Sequence, residues 1–100
     1  RPRDRRELSF EDVKVGMRVQ VMDDVHFVKK ACREPVPGAL YGRAGWNTNM
    51  ANAIGRQFVV KAVVLISLTV ELATDNQFGM GMDFAFPYTV LRAASPPAFR

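Results

Sequence analysis

The stretch QFVVKAVVLISLTVELAT, residues 57–74, decides the fold predicted for this chain of 100 residues. Both halves of the stretch are rich in β-branched residues, and polar and apolar side chains alternate from residue 68 to residue 72. β-Branched residues favour strands, and a two-residue period is typical of a strand with one buried face. The stretch therefore predicts two antiparallel strands that turn near residues 66–67, although no turn-forming dipeptide stands there.

Three further strands are predicted on either side of this hairpin. Residues 17–21, MRVQV, alternate apolar and polar side chains upstream of it. Downstream, residues 83–87 form a strand that ends at Pro87, and a short last strand or a single helical turn passes through Val90 and Leu91. Five short strands of this kind predict a mainly β fold, a small and strongly bent barrel.

One short helix is predicted in GWNTNMANAIG, residues 45–55. Trp46, Met50 and Ile54 recur every fourth residue, as on the buried stripe of a helix. Asn47 or Thr48 can cap its start, and Gly55 can adopt the left-handed conformation that ends a helix. We expect a helix over about residues 47–54 whose apolar side chains plug the open end of the barrel. An exposed ligand anchor made by the same three side chains is the alternative.

The domain boundaries and the early loop follow from composition. Residues 1–8 form a basic flexible tail, residues 9–93 the barrel, and residues 94–100 a second tail or a linker. Prolines and glycines interrupt residues 23–45, so we expect a long loop there. Long loops within small domains often bind ligands, which makes this loop the first place to look for function.

Charge and cysteine content limit the function classes. The formal net charge is +4 with a pI of about 9.7, but four of the 14 Lys and Arg residues lie within residues 1–6. The remaining chain is close to neutral, which is weak support for nucleic-acid binding. One cysteine and one histidine build neither a disulfide nor a usual zinc site, so we expect an intracellular, cytoplasmic setting and neither metal nor cofactor. The longest apolar run, residues 58–68, is too short to span a membrane.

Several motifs together resemble the repeat domain of mind bomb-type ubiquitin ligases. They are VKVGMRVQV at 13–21, FVKKA at 27–31, GWNTNMANAIGR at 45–56 and FAFPYTVL at 84–91. Phe58 stands where the family usually has glycine. Phe84 is aromatic, as the family pattern requires, but the family usually has tryptophan at this position. The positions that match the family pattern are Val15, Gly16, Gly45, Trp46, Met50, Ile54, Gly55, Arg56, Phe84, Phe86 and Leu91.

The resemblance implies a Src-homology-3-like barrel without catalytic activity. In the mind bomb proteins such repeats recognise short segments in the cytoplasmic tails of Notch ligands. By this analogy the chain is a protein-interaction module of a larger protein and binds a peptide segment or a neighbouring domain. The larger protein would be a ubiquitin ligase, in which the module recognises substrate, or a scaffold. The alternative is a small nucleic-acid-binding barrel that uses its basic loop and tail.

Candidate residues follow from these expectations. A catalytic role for His26 would need Asp23, Asp24 or Cys32 in hydrogen-bond reach, which a loop rarely supplies, so we do not expect an enzyme. The valine-rich strand makes homodimerisation or packing on an adjacent domain a further expectation. The predicted ligand-binding residues are Phe27, Lys30, Tyr41, Arg43, Phe78 and Tyr88. The predicted core consists of Val19, Val21, Trp46, Met50, Ile54, Gly55, Phe84, Phe86 and Leu91.

Overall fold

A single antiparallel sheet organises the protein, seen in a computed structural model that describes residues 7–73 and 84–94. Its strands are β1 (Arg18–Val21), β2 (Gln57–Val64), β3 (Thr69–Ala73), β4 (Phe84–Pro87) and β5 (Leu91–Ala93). The strand order across the sheet is β4-β3-β2-β1-β5.

The connection between β4 and β5 makes the sheet curl into a barrel-like shape. These two strands lie at opposite edges of the sheet, yet only the 3₁₀ helix Tyr88–Val90 joins them. Three residues span at most about 10 Å, so the sheet has to curl until its edges approach each other. The backbone amide of Met22 donates to the carbonyl of Val90 (3.0 Å), and the amide of Tyr88 donates to that of Leu68 (3.2 Å). The predicted mainly β fold, a small barrel-like domain of five strands, is confirmed.

The hairpin between β2 and β3 turns where the sequence predicts. The last paired residues are Val64 and Thr69, which leaves residues 65–68 as the turn. The register of this pair shifts between Val60 and Ala62, which marks an irregularity at the middle of β2. Such an extra residue bends a strand and increases its twist. The bend separates the half of β2 that pairs with β1 from the half that pairs with β3 alone.

The core fills the interior of this curled sheet, and most of the predicted core residues are in it. Each of Val19, Val21, Met50, Phe84, Phe86 and Leu91 is at most 5% exposed. Trp46 and Ile54 are partly buried and pack against the core from its margin. Gly55 has a φ of +77°, the left-handed conformation expected of it.

The predicted helix near residues 47–54 is a 3₁₀ helix, Thr48–Ala53, and this changes which side chains it buries. Asn47 caps it, because its side-chain oxygen accepts the amide of Asn49 at 2.8 Å. A 3₁₀ helix has three residues per turn, so Met50 and Ala53 share its inner face. The expected plug of three residues spaced by four is therefore replaced by a buried pair spaced by three.

The expectation of one long irregular loop over residues 23–45 is wrong, because α1 (Val25–Arg33) occupies its first half. The Asp24 carboxylate caps α1 by accepting the amide of Phe27 at 3.1 Å. Val28 and Cys32, four residues apart, are buried against the core. The helix ends just before Glu34, which is extended as residues that precede a proline usually are. The irregular part of the connection thus begins at residue 34.

The first described residues, 7–10, contact the rest of the fold. Glu7 forms an isolated bridge with Arg92 of β5, and their side chains lie 3.8 Å apart. Leu8 packs against the core. The Phe10 ring contacts the Tyr88 ring edge-on, with centroids 5.7 Å apart. These contacts attach the start of the described chain to the short connection that closes the barrel.

Two glycines provide a test of the packing behind the 3₁₀ helix. Gly55→Ala and Gly16→Ala each place a side chain on backbone of positive φ, +77° and +90°. A Cβ at residue 55 would lie 3.3 Å from the Cβ of Asp23, whereas a Cβ at residue 16 meets nothing within 4 Å. We expect each substitution to lower the free energy of unfolding by about 1–2 kcal/mol, and Gly55→Ala by the larger amount. Urea denaturation measures both values, and equal losses would contradict the close approach at Gly55.

The cap of α1 provides a second test. Asp24→Ala removes the acceptor for the Phe27 amide, so we expect the free energy of unfolding to fall by about 1 kcal/mol. Asp24→Asn keeps an acceptor oxygen and serves as the matched control, with stability close to that of the original chain. Thermal and urea denaturation report the difference. A loss of the same size in both variants would show that the charge rather than the cap is important.

Candidate functional site

The tip of the β2–β3 hairpin is joined to the chain that follows α1. The amides of Leu40 and Tyr41 both donate to the carbonyl of Ile66, at 2.9 and 3.1 Å. These two hydrogen bonds attach residues 38–42 to the turn at residues 65–68. Two segments that are distant in sequence therefore form one surface at this end of the barrel.

Four large apolar side chains lie on this surface and face solvent. Their exposed fractions are 87% for Leu40, 78% for Tyr41, 74% for Leu65 and 49% for Ile66. We call these four residues the tip patch. Single exposed apolar residues are common on proteins, but a group of them on hydrogen-bonded neighbouring segments is typical of an interaction surface.

Local backbone geometry holds the tip patch in place. Gly38 and Gly42 adopt φ of +91° and +87°, and their Cα atoms face the side chains of Leu68 and Ser67. In the hairpin turn the hydroxyls of Ser67 and Thr69 are buried and lie 2.8 Å apart. Leu68 has a φ of +55°, which costs a residue with a side chain about 1–2 kcal/mol. Backbone strain of this kind concentrates at functional positions.

A second candidate surface, which is concave, lies between α1 and the strand β4. It is a groove of about 340 Å³. Four of its residues form one stripe along α1 and its end, at positions i, i+3, i+4 and i+7, so they line the same side of the helix. The residues that line the groove are Phe27, Lys30, Ala31, Glu34, Pro35, Val36, Pro37, Pro87 and Thr89.

The structure distributes the predicted ligand-binding residues over separate places. Phe27, 47% exposed, and Lys30 line the groove. Tyr41 belongs to the tip patch. Residues 34–41 connect the two features, and the amide of Ala39 donates to the carbonyl of Val36 (2.9 Å) in a turn between them.

The other predicted residues have different positions. The Arg43 guanidinium donates to the carbonyl of Arg33 at 2.8 Å, so this side chain anchors the loop to the end of α1. Tyr88 is half-buried against the core and against Phe10. Phe78 lies outside the described residues. The five described residues of this prediction therefore lie at separate places on the protein.

Sequence reasoning missed the contribution of the hairpin turn to the tip patch. Leu65 and Ile66 occupy turn positions where Gly, Asn and Asp are usual. Apolar residues at such positions are a signal for an interaction surface, because a turn exposes its side chains. Leu40 carried no comparable signal, since its hydrogen-bonded neighbour Ile66 comes from a distant part of the chain.

Trp46 borders another hollow, of about 350 Å³, together with Met50, Asn47 and Phe84. Met50 is buried and Trp46 is partly buried, so the wall of this hollow is continuous with the core. Trp46 and Met50 are two of the three residues of the exposed ligand anchor that the sequence analysis gave as the alternative. The packing of Trp46 against the margin of the core accounts for the residue without a ligand.

The side chains weighed for catalysis do not meet the requirements of a nucleophile. Cys32 is fully buried, and burial raises the pKa of its thiol from 9.0 to about 12, so it carries no thiolate near neutral pH. His26 is exposed on α1. Among residues 7–73 and 84–94, no three His, Cys, Asp or Glu side chains form a group that could hold a metal ion. In the same residues, no helix has the length and apolar character to cross a membrane.

The buried thiol predicts a specific dependence of stability on pH. In the unfolded chain Cys32 ionises around pH 9, whereas the folded chain keeps the proton until about pH 12. Between these values the unfolded state binds fewer protons, so stability falls as pH rises. We expect Cys32→Val to lose less stability than the original chain between about pH 8 and about pH 10.5. Urea denaturation across this range measures the loss, and identical slopes would show that the thiol is not shielded.

Comparison with known proteins does not add a family to these observations. No family model, no curated protein and no solved structure matches the chain. The resemblance to mind bomb-type repeats therefore rests on the motifs of the sequence and stays a prediction.

Proposed function

We propose that this barrel is a noncatalytic protein-interaction module of a larger intracellular protein, and that its tip patch docks into an apolar depression on a partner protein. The exposure of Leu40, Tyr41, Leu65 and Ile66 on hydrogen-bonded segments is the observation that carries this proposal. A surface that remains apolar and exposed in a small domain is stabilised when a partner covers it.

The energetics of the tip patch suit a specific but reversible contact. Complete burial of one large apolar side chain is worth about 1.5–3 kcal/mol. The free energy gained by burying four such side chains exceeds the free-energy cost of association only moderately. That cost comprises the lost freedom of the two partners and the ordering of side chains at the interface. The two hydrogen bonds to Ile66 and the glycine conformations hold the backbone in advance, which lowers the ordering cost.

The charge around the tip patch favours a protein over a lipid surface. Residues 38–42 and 65–68 contain neither Lys nor Arg. Proteins that bind membrane surfaces combine exposed apolar side chains with basic residues that meet anionic lipids. The nearest cation in sequence, Arg43, donates to the Arg33 carbonyl instead. An uncharged apolar depression on another protein is the complementary surface.

The resemblance of the sequence to mind bomb-type repeats supports the same class of function, because those repeats recognise segments of other proteins. In a ubiquitin ligase this module would hold the substrate, and in a scaffold it would hold a neighbouring component. Both uses need an exposed docking surface on a barrel without catalytic groups.

A double substitution tests the proposed surface. Leu40→Ser with Tyr41→Ser removes the two most exposed apolar side chains of the tip patch, and Val15→Ser, at a position 64% exposed outside the patch, is the matched control. Proteins captured from an extract of the source cells by the original chain are identified, purified and titrated calorimetrically. We expect the double variant to bind such a protein at least roughly tenfold more weakly, and Val15→Ser to bind it as the original chain does.

Three outcomes would overturn the proposal. Equal affinity of the double variant would remove the tip patch from the interface. Sedimentation of the original chain with vesicles of neutral and anionic phospholipids, abolished by the double substitution, would assign the patch to a membrane surface. A dimer in analytical ultracentrifugation that the double substitution dissociates would make a second copy of the chain the occupant. Circular dichroism establishes beforehand that each variant is folded.

A further inference from the structure

We infer that the groove beside α1 is a second, independent binding site, and that it takes a short extended peptide carrying a large apolar side chain next to an acidic residue. Residues 34–41 connect the groove to the tip patch, and no side chain belongs to both sites. The two sites can therefore be separated by substitution.

The composition of the groove determines the apolar part of the ligand. Phe27 and Ala31 line it from α1, and three prolines line it from the facing segments. Proline rings present apolar carbon and have no backbone N–H. A groove of this kind offers little to a polar group and much contact area to a large aliphatic or aromatic side chain. Its volume of about 340 Å³ lies at the lower end of the range for ligand pockets, which suits one or two side chains rather than a folded domain.

The charges on α1 determine the acidic part of the ligand. Lys30 lies at the groove itself, and Lys29 and Arg33 lie on the same helix. The Arg43 guanidinium is bound at the end of that helix, 2.8 Å from the Arg33 carbonyl. Their cationic groups attract an acidic ligand and raise its rate of association.

Glu34 determines how the acidic residue lies in the groove. It lines the groove one helical turn after Lys30 and carries the opposite charge. An acidic side chain of the ligand is attracted at Lys30 and repelled at Glu34. The acidic residue of the peptide is therefore placed at Lys30, between Asp24 at the start of α1 and Glu34 after its end, and the apolar side chain enters between Phe27 and the prolines.

Selection from a displayed library of random dodecapeptides on the folded 100-residue chain tests this inference. We expect the selected peptides to combine an acidic residue with an adjacent aromatic or large aliphatic residue. Fluorescence anisotropy with a labelled selected peptide then compares variants. Lys30→Glu should weaken binding by roughly tenfold, since an ion pair is lost and a repulsion is introduced, and the weakening should shrink as salt is added. Phe27→Ser should weaken binding at least as much, because it removes an apolar wall.

Control variants separate this site from the tip patch. Lys14→Glu makes the same charge change at an exposed position outside the groove and should leave affinity within roughly twofold. Leu40→Ser with Tyr41→Ser should bind the selected peptide as the original chain does. Circular dichroism of Phe27→Ser establishes that the variant is folded, and Lys30→Glu tests the site without touching the apolar wall.

Five results would overturn the inference. The library could yield no enriched peptide, or it could enrich basic peptides. Binding of the selected peptides could be unchanged in both Lys30→Glu and Phe27→Ser. A single-stranded oligonucleotide could bind the original chain with a steep salt dependence that Lys30→Glu abolishes, which would assign the basic face of α1 to nucleic acid. Loss of peptide binding in the tip-patch variant, with Lys30→Glu unaffected, would place the peptide on the tip patch instead.

Discussion

The connection Tyr88–Val90 is the constraint on which the rest of the barrel depends. It joins the two edge strands of one sheet by a single 3₁₀ turn, so the sheet can exist only in a curled form. Curling places the inward side chains of all five strands around one small core, with Phe86, Leu72 and Leu91 among its largest members. The irregularity in the middle of β2 fits this curvature, because β2 pairs with β1 only before it and with β3 on both sides of it.

The same curled sheet explains why both candidate sites are built mainly by the connections around the strands. In a barrel this small, the side chains that point inward from the strands fill the interior. Binding surfaces must then be built by the excursions of the chain around the barrel. α1 with the prolines after it makes the groove, and the hairpin turn with residues 38–42 makes the tip patch. Each feature is held by a few specific contacts, such as the cap at Asp24 and the paired amides on Ile66.

The helix α1 shows where prediction from sequence reached its limit. Prolines and glycines in residues 34–45 concealed a nine-residue helix before them, although Asp24 was in place as a cap and Val28 and Cys32 had helical spacing. A segment this short has little helical stability of its own, and its packing on the barrel supplies the rest. The 3₁₀ form of Thr48–Ala53 has the same origin, because three residues per turn bring Met50 and Ala53 together on the core.

The sequence by itself determined the strands, the place of the hairpin turn, the left-handed glycine at residue 55 and most of the core. These features depend on alternation, β-branching and local backbone preference, which neighbouring residues carry. Only the tertiary structure decided that Tyr41 stands beside Ile66, that Phe27 faces prolines, and that Arg43 serves the end of α1. These arrangements join residues far apart in the chain, and the curl of the sheet, rather than any local pattern, brings them together.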